Sequence, residues 1–515
     1  MARRRSPYKL IYFSPDRPGS GPGAKCYLSR FVRSFVARKS SLRGDSKGTP
    51  VDTQLDALEA SLRAELSPTP ELSSRLAGVL TEVVAEATQK AADLHIELRR
   101  ALVAGSAARE TYLPGNFDID LFVLFPPEVP RNDLVERGLK LGAALLHDPQ
   151  KKYAEHPYLR GTFQGFPCEV VPGYAIADGS RPVTAVDRTP FHQAYLQARH
   201  TPETRGDVRL FKRFLKGIGV YGAEVATEGF SGYLSELLVL EAGSFRGALR
   251  AASRWQVPMR LAPPGPEPSF ENSAALVMAD PVDPHRNVAA AVARHNLSLF
   301  ILASQEYLAS PSRDFFFPPA VREPTEKEAR ETRGRRSSTV VALRFPVPGL
   351  VPDVLYPQLR RTERSLAEQL RKTGFHVLGT ASAAQGDFAA ILIETREARL
   401  GKVRVHEGPP VGVGNTHAFL ERWDAPTVLV GPYVSEDGRL TVEIEEEDRD
   451  LREWIEHLLP GLAMGKDLRP LIAKEATVSN LEDAYGHVPV PEALTYLWRK
   501  GLPWLREGSR PAQVE

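Results

Sequence analysis

The sequence predicts an α+β multidomain protein, and three features point to that class. Within residues 51–188, helical periodicity alternates with short apolar runs of strand length, which is the mark of a mixed sheet covered by helices. Residues 189–310 carry helical patterning with little strand character, and residues 311–515 return to short strands mixed with amphipathic helices. The expected division is a disordered basic extension at 1–50, a head at 51–188, a helical central (neck) domain at 189–310 and an α+β C-terminal body and tail at 311–515. A length of 515 residues is enough for about three domains.

The elements follow in order. Residues 1–50 hold twelve Lys or Arg and two Asp, with a Pro/Gly-rich stretch at Ser14–Ala24. A disordered tail, or residues added by an upstream start codon, is the first reading; a transit peptide and a nucleic-acid-binding arm are the others. Leu55, Leu58, Leu62 and Leu66 keep a helical period, and a second helix runs from Pro70 to about His95. Strands are expected at Leu98–Ala104, Ile119–Phe125, Leu159–Phe163 and Cys168–Tyr174, with a helix at Asn132–His147. Ile119–Phe125 is apolar on both faces, as a buried strand is. Thr189-Pro190 reads as a helix cap, followed by helices at Phe191–Arg199, Asp207–Ile218, Gly232–Trp255 and Pro284–Leu308. Pro258–Pro268 reads as a loop and Arg322–Ser338 as a charged linker or exposed excursion. Beyond it the pattern gives a strand at Val340–Pro346, a helix at Leu355–Lys372, strands at His376–Leu378 and Ala389–Thr395, a hairpin of Thr427–Val434 with Leu440–Glu445, and a helix at Leu451–Leu459.

Composition excludes several classes. At 42% apolar and 25% charged residues the chain is ordinary for a soluble globular protein. No apolar run reaches the ~18 residues of a membrane helix, and a secretory leader is not expected. Cys26 and Cys168 are the only cysteines, too few for a disulfide framework or a structural zinc site, so a reducing, cytoplasmic setting is expected. Outside the first 50 residues, 54 basic side chains face 62 acidic ones, so any nucleic-acid surface must be a local patch.

Chemistry concentrates in the head. Gly105-Ser106 ends a strand and opens a helix, where backbone N–H groups can hold a phosphate, and Arg109 follows one turn later. Asp118 and Asp120 are two apart at the start of a buried strand, so they share a face and repel unless a cation lies between them. Glu169, flanked by apolar residues in another internal strand, is a third carboxylate in need of a partner. Gly-Ser, Asp-x-Asp and a third strand carboxylate form the layout of nucleotidyltransferases of the polymerase β type. In that layout two Mg²⁺ ions bridge the nucleotide phosphates and the attacking hydroxyl.

Longer strings extend the likeness. They are Gly105–Arg109 with Asp118–Phe125; residues 153–158 (YAEHPY); Glu169–Pro172 with Tyr174; Ala185–His192; Tyr221–Glu224; Gly229–Tyr233 with Glu236–Leu238; Asp280–Ala289; and Tyr356–Leu359. On these strings the chain, over about residues 54–480, resembles the archaeal-type (class I) CCA-adding enzymes, which are tRNA nucleotidyltransferases. The resemblance implies template-independent addition of C, C and A to the tRNA 3′ end from CTP and ATP. It implies Asp118, Asp120 and Glu169 as catalytic carboxylates and metal ligands. It implies Ser106, Arg109, Lys212 and Tyr221, with Gly105, at the triphosphate, and His192 and Arg286 near the base and primer end. Partners would be the tRNA acceptor stem and 3′ end, no membrane, and the chain would act as a monomer or homodimer. The family pattern commonly has Glu first and Asp third among the carboxylates, the reverse of Asp118 and Glu169, and an aromatic where Ala107 stands.

Taken singly, these residues have plainer readings. Lys212 fits a solvated basic face with Arg209, Arg213 and Lys216; Tyr221 could simply pack; His192 could be an ordinary hydrogen-bonder; Arg286 could pair with Asp280 or Asp283. Candidate tRNA contacts are Arg209, Arg213 and Lys216, the run Arg330–Arg336, and Arg360, Arg361 and Arg364. The competing functions are oligo- or poly(A) synthesis and an inactive tRNA-end-binding protein.

Overall fold

A computed structural model describes residues 50–152, 157–261 and 273–506. The expected basic extension up to residue 49, residues 153–156 of the 153–158 string, and most of the Pro258–Pro268 loop lie outside the described residues.

The head is a five-stranded mixed sheet. Its strands are β1 (Arg100–Ala104), β2 (Ile119–Phe125), β3 (His147–Lys152), β4 (Tyr158–Phe163) and β5 (Phe166–Tyr174), in the order β1-β2-β5-β4-β3. Only the β2–β5 pair is parallel, with Asp120 opposite Glu169 in register. Strand alternation divides the sheet into two faces. Helix α1 (Pro50–Glu65) precedes the sheet in the chain. Ile119, Leu121, Val123, Cys168 and Val170 join the core under two long helices, α2 (Pro70–Asp93) and, after the one-turn α3 (Gly105–Ala108), α4 (Arg131–Leu145). Phe122, Leu124 and Val171 form a smaller cluster on the other face, and Asp120 and Glu169 share that face by period.

Helix α1 (Pro50–Glu65) corrects the expected boundary at residue 51. Its Leu55 and Leu62, with Leu66 just beyond, pack into the second core, not against the sheet. That core is built by α5 (Thr189–Gln197), α6 (Pro202–Gly217), α7 (Gly232–Ala242), α8 (Phe245–Ala252) and α9 (Arg294–Ala309) around Phe211, Phe214, Phe245, Phe300 and Tyr307 in edge-to-face contacts. Ion pairs Arg63–Asp207 (2.5 Å) and Arg246–Glu59 (3.0 Å) add to the seating of α1.

Other expectations shift for identifiable reasons. The single helix over Gly232–Trp255 breaks at Gly243, which is left-handed (φ 76°), and Ser244 caps the new helix by accepting from the Gly247 N–H. The helix foreseen from Pro284 begins at Arg294, because Asn287 Oδ1 accepts from the Met278 and Ala289 N–H groups and holds residues 279–289 as a turn. Thr189 caps nothing; the cap lies upstream, where Asp187 accepts from the Thr184 N–H.

In the last third, the run expected as a linker contains α10 (Glu326–Arg336), started by a Thr325/Glu328 capping box and seated through buried Ala329. Four antiparallel strands follow: β6 (Thr339–Pro346), β7 (Val377–Gln385), β8 (Phe388–Thr395) and a later short edge strand at Thr477–Asn480, with α11 (Pro352–Lys372) on one face. The expected hairpin is present as Val428–Val434 with Arg439–Glu445, and the unforeseen strand Val403–Pro410 pairs with the latter to complete a three-stranded sheet. No described helix is long and apolar enough to cross a membrane.

Candidate active site

The site begins where β1 hands over to β2. Ala104 pairs with Asp120, so the next residue, Gly105, turns beneath the Asp120 carboxylate. A Cβ on Gly105 would lie 1.8 Å from Asp120 Oδ2, and its φ of 73° is left-handed. Gly105→Ala is therefore expected to displace Asp120 and cut nucleotide addition by at least about tenfold, equal to about 1.4 kcal/mol of barrier. Steady-state rates checked against a folded-protein melting curve test this; an alanine variant with full activity would refute it.

Three carboxylates lie along this edge. Burial, then the charges of Glu169 and Asp118, push Asp120 up to about 7 from the usual carboxylate range. Burial and Asp118 push Glu169 up as well. Arg160 on β4, opposite Glu169 in register, donates to Asp118 (2.8 Å) and lies 3.8 Å from Glu169. Among the described residues no three His, Cys, Asp or Glu side chains converge closely enough to hold one ion. The donor chemistry is all oxygen and carries unbalanced negative charge, which fits a hard divalent cation. In the arrangement seen, Arg160 is the positive group beside Asp118 and Glu169.

A buried carboxylate organises the cations behind the carboxylate edge. Glu236 on α7 accepts from Arg109 (2.9 and 3.0 Å), Lys212 (2.9 Å) and Thr111 (2.9 Å), and its Oε2 is 2.9 Å from His200 Nε2. Burial alone would raise Glu236, but Lys212 and Arg109 hold it well below the usual range. Two basic groups against one carboxylate give this hub a local positive bias. Tyr221 joins them: a Cβ on Gly232 would lie 3.1 Å from Tyr221 Oη and 4.0 Å from Lys212 Nζ. Burial pushes the Tyr221 hydroxyl up to about 12, so it stays a donor. Ser106 is half-buried at the start of α3. That helix has a single turn.

A second buried carboxylate sits nearby on the same scaffold. Asp280 accepts from Arg286 (2.8 Å), Tyr233 Oη (3.0 Å) and the Val282 N–H (3.0 Å), and lies 2.8 Å from His192 Nε2. His192 stacks on Tyr233 with ring centroids 4.0 Å apart. Tyr233 and Glu236 are one turn apart on α7, and His192 adjoins Gln193, which accepts from Arg109. The two hubs are therefore built on the same pair of helices.

Three family models match in chain order: a nucleotidyltransferase domain over residues 89–192, the second domain of tRNA nucleotidyltransferase over 206–317, and the C-terminal domain of CCA-adding enzyme over 336–480. The CCA-adding enzyme of Halorubrum lacusprofundi is 40% identical over 461 residues, covering 85% of this chain and 98% of that protein. The chain belongs to the CCA-adding enzyme family. The relative from Methanosarcina acetivorans is 34% identical over 84% of this chain and 94% of its own length, and that from Pyrobaculum neutrophilum 39% over 72% and 85%. The head is accordingly the polymerase-β-type nucleotidyltransferase fold that the Gly-Ser and Asp-x-Asp spacing predicts, and this family member is a tRNA nucleotidyltransferase.

Within this CCA-adding family member, the residues expected at the site fall into two groups. Gly105, Arg109, Asp118, Asp120, Glu169, Lys212 and Tyr221 surround one edge of the sheet, while His192 and Arg286 meet on Asp280. Lys212 is buried, contrary to its solvated reading, and Arg286 takes Asp280 over Asp283, which pairs with Arg188 (2.8 Å). Arg160, Thr111, His200, Tyr233 and Glu236 were not singled out from sequence, and Asp280 entered only as a possible partner of Arg286. Tyr233, Glu236 and Asp280 lie inside family strings, and a charged residue on an otherwise apolar helix was the one readable signal for Glu236. The basic face of α6 is largely structural: Arg209 donates to the Glu110 carbonyl (2.6 Å), Arg213 to the Phe316 carbonyl (2.7 Å) and Lys216 to Asn116 (2.7 Å). Arg336 pairs with Glu394 (2.6 Å), and Arg360 pairs with Glu228 (3.3 Å) across to the neck. Contacts to tRNA phosphates at these positions would have to share side chains that already hold the fold.

Proposed function

We propose that the protein adds C, C and A in turn to the 3′ end of tRNA, taking CTP and ATP as substrates, without a template and with two Mg²⁺ ions. The observation that carries this reading is the match to CCA-adding enzymes along nearly their full length, joined to a carboxylate edge set against a cationic hub. Asp118, Asp120 and Glu169 would hold the metal, and Arg160 would yield its two carboxylates to it. Bound Mg²⁺ would supply a lowered pKa at the attacking 3′-hydroxyl and neutralise charge on the triphosphate. The chain's own residues then do the rest. Arg109, Lys212 and Tyr221 orient the triphosphate, and Glu236 keeps those cations in place. Arg286 presents its fork toward the base, and His192 lies beside it against Tyr233. Binding and orientation of this kind are the protein's main contributions to phosphoryl transfer. A cytoplasmic setting accords with the substrate.

A tRNA transcript ending at the discriminator base tests the reading. With Mg²⁺, CTP alone should give two additions, and a third should need ATP. Long A tails would favour a poly(A)-type polymerase. Retained tRNA binding without addition, even with Mn²⁺, would indicate an inactive descendant in which Glu169 is at fault, and Glu169→Asp would then be the variant to assay.

A further inference from the structure

The Asp280 hub carries a consequence beyond holding the neck together. Its carboxylate is fully buried, and both oxygens are saturated: Oδ1 by Tyr233 and the Val282 N–H, Oδ2 by Arg286 and His192. A carboxylate only accepts, so His192 must donate from Nε2. In the neutral ring Nδ1 is then an acceptor, and among the described residues it has no partner. Arg286, 40% exposed at its side chain, is engaged at one terminal nitrogen and keeps its remaining N–H donors.

One acceptor beside fixed donors matches one kind of base edge. Cytosine and adenine each offer an exocyclic amino donor next to a ring-nitrogen acceptor. Uracil and guanine offer the reverse, a carbonyl acceptor next to a ring N–H donor. We propose that Asp280 is the positioning residue that makes the pocket select bases whose amino group stands beside an unprotonated ring nitrogen, by fixing the His192 tautomer and the aim of the Arg286 fork together. This inference rests on the CCA-adding reading and adds the chemical reason that the pocket passes two of the four nucleotides.

Asp280→Asn reverses the arrangement at nearly constant shape. The amide nitrogen in place of Oδ2 donates to His192 Nε2, so Nδ1 becomes the protonated nitrogen. The same change releases Arg286, since two donors then face each other. Replacing a tautomer-fixing Asp by Asn has this effect wherever a histidine depends on it. The experiment measures kcat and KM for CTP, ATP, UTP and GTP singly on tRNA lacking its last nucleotides, with the wild type and Asp280→Asn, alongside melting curves. The selectivity for CTP over UTP, and for ATP over GTP, is expected to fall at least about tenfold in the variant, with KM for tRNA unchanged. An equal loss of kcat/KM for all four nucleotides would overturn the proposal and leave Asp280 with a structural role only. Should Asp280→Asn fail to fold, His192→Phe keeps the ring on Tyr233 and removes the acceptor. It is expected to lose selectivity similarly, and intact selectivity there would overturn the proposal equally. A wild type that adds no C to tRNA would instead bring down the reading beneath it.

Discussion

Asp120→Asn is expected to lower nucleotide addition by about a thousandfold or more, roughly 4 kcal/mol of barrier, and yet to melt no lower than the wild type when metal is absent. The two effects have one origin. Asp120 is pushed up to about 7 by burial and by Glu169 and Asp118. Between the usual carboxylate range and about pH 7 the folded chain keeps a proton that the unfolded chain has released. Stability therefore falls as pH rises through that interval, and the ionised, crowded carboxylate remains a burden above it. The amide removes the charge that the fold resists and that the reaction requires. Single-turnover extension with Mg²⁺, and melting in EDTA at pH 5 and pH 8, check both halves. A clear drop in melting temperature at pH 8, or activity within tenfold of wild type, would show that Asp120 is not the charged centre of this edge.

Glu236→Ala is expected to cost about 3–5 kcal/mol of folding stability, the usual penalty for removing one partner of a buried ionic network. Arg109 and Lys212, both buried, would be left without their counter-ion. Glu236 is held well below the ordinary carboxylate range, chiefly by Lys212 and Arg109 against the cost of its burial. Its contribution is therefore complete above the unfolded carboxylate value and is lost as pH falls through the lowered folded value. Urea titrations should show the gap between wild type and variant open at pH 7 and narrowing in strong acid. Where the variant stays folded, KM for CTP should rise more than kcat falls, since the residue acts on substrate only through the two cations. An unchanged urea midpoint at pH 7 would refute the role.

The carboxylate edge was legible because its chemistry is local. Asp118 and Asp120 lie two apart at the mouth of an apolar strand, so alternation places them on one face, and Glu169 interrupts another such strand; the register that sets Glu169 opposite Asp120 came only with the fold. The hubs were not legible for the opposite reason. Glu236 gathers Arg109, Thr111 and Lys212 across as many as 127 positions of chain, and Asp280 gathers His192 across 88. No spacing rule spans such distances, and each partner alone reads as an ordinary surface or core residue. Capping explains the missed helix at Glu326–Arg336: charge density hid its start signal, Thr325 with Glu328, which lay in plain sight. Arg160 was hidden because an exposed arginine on a strand is unremarkable until its register against Glu169 is known.

Helix α1 belongs to the neck, although the whole head follows it in the chain. The head is thus an insertion, leaving the neck after Leu66 and returning to it before Thr189. A module tethered at both ends behaves as a door on two hinge pins. It can turn about the line joining its two crossings, but it cannot swing free or slide away. The door carries Asp118, Asp120 and Glu169 and the frame carries Glu236 and Asp280, and the buried Arg109–Glu236 pair latches one to the other.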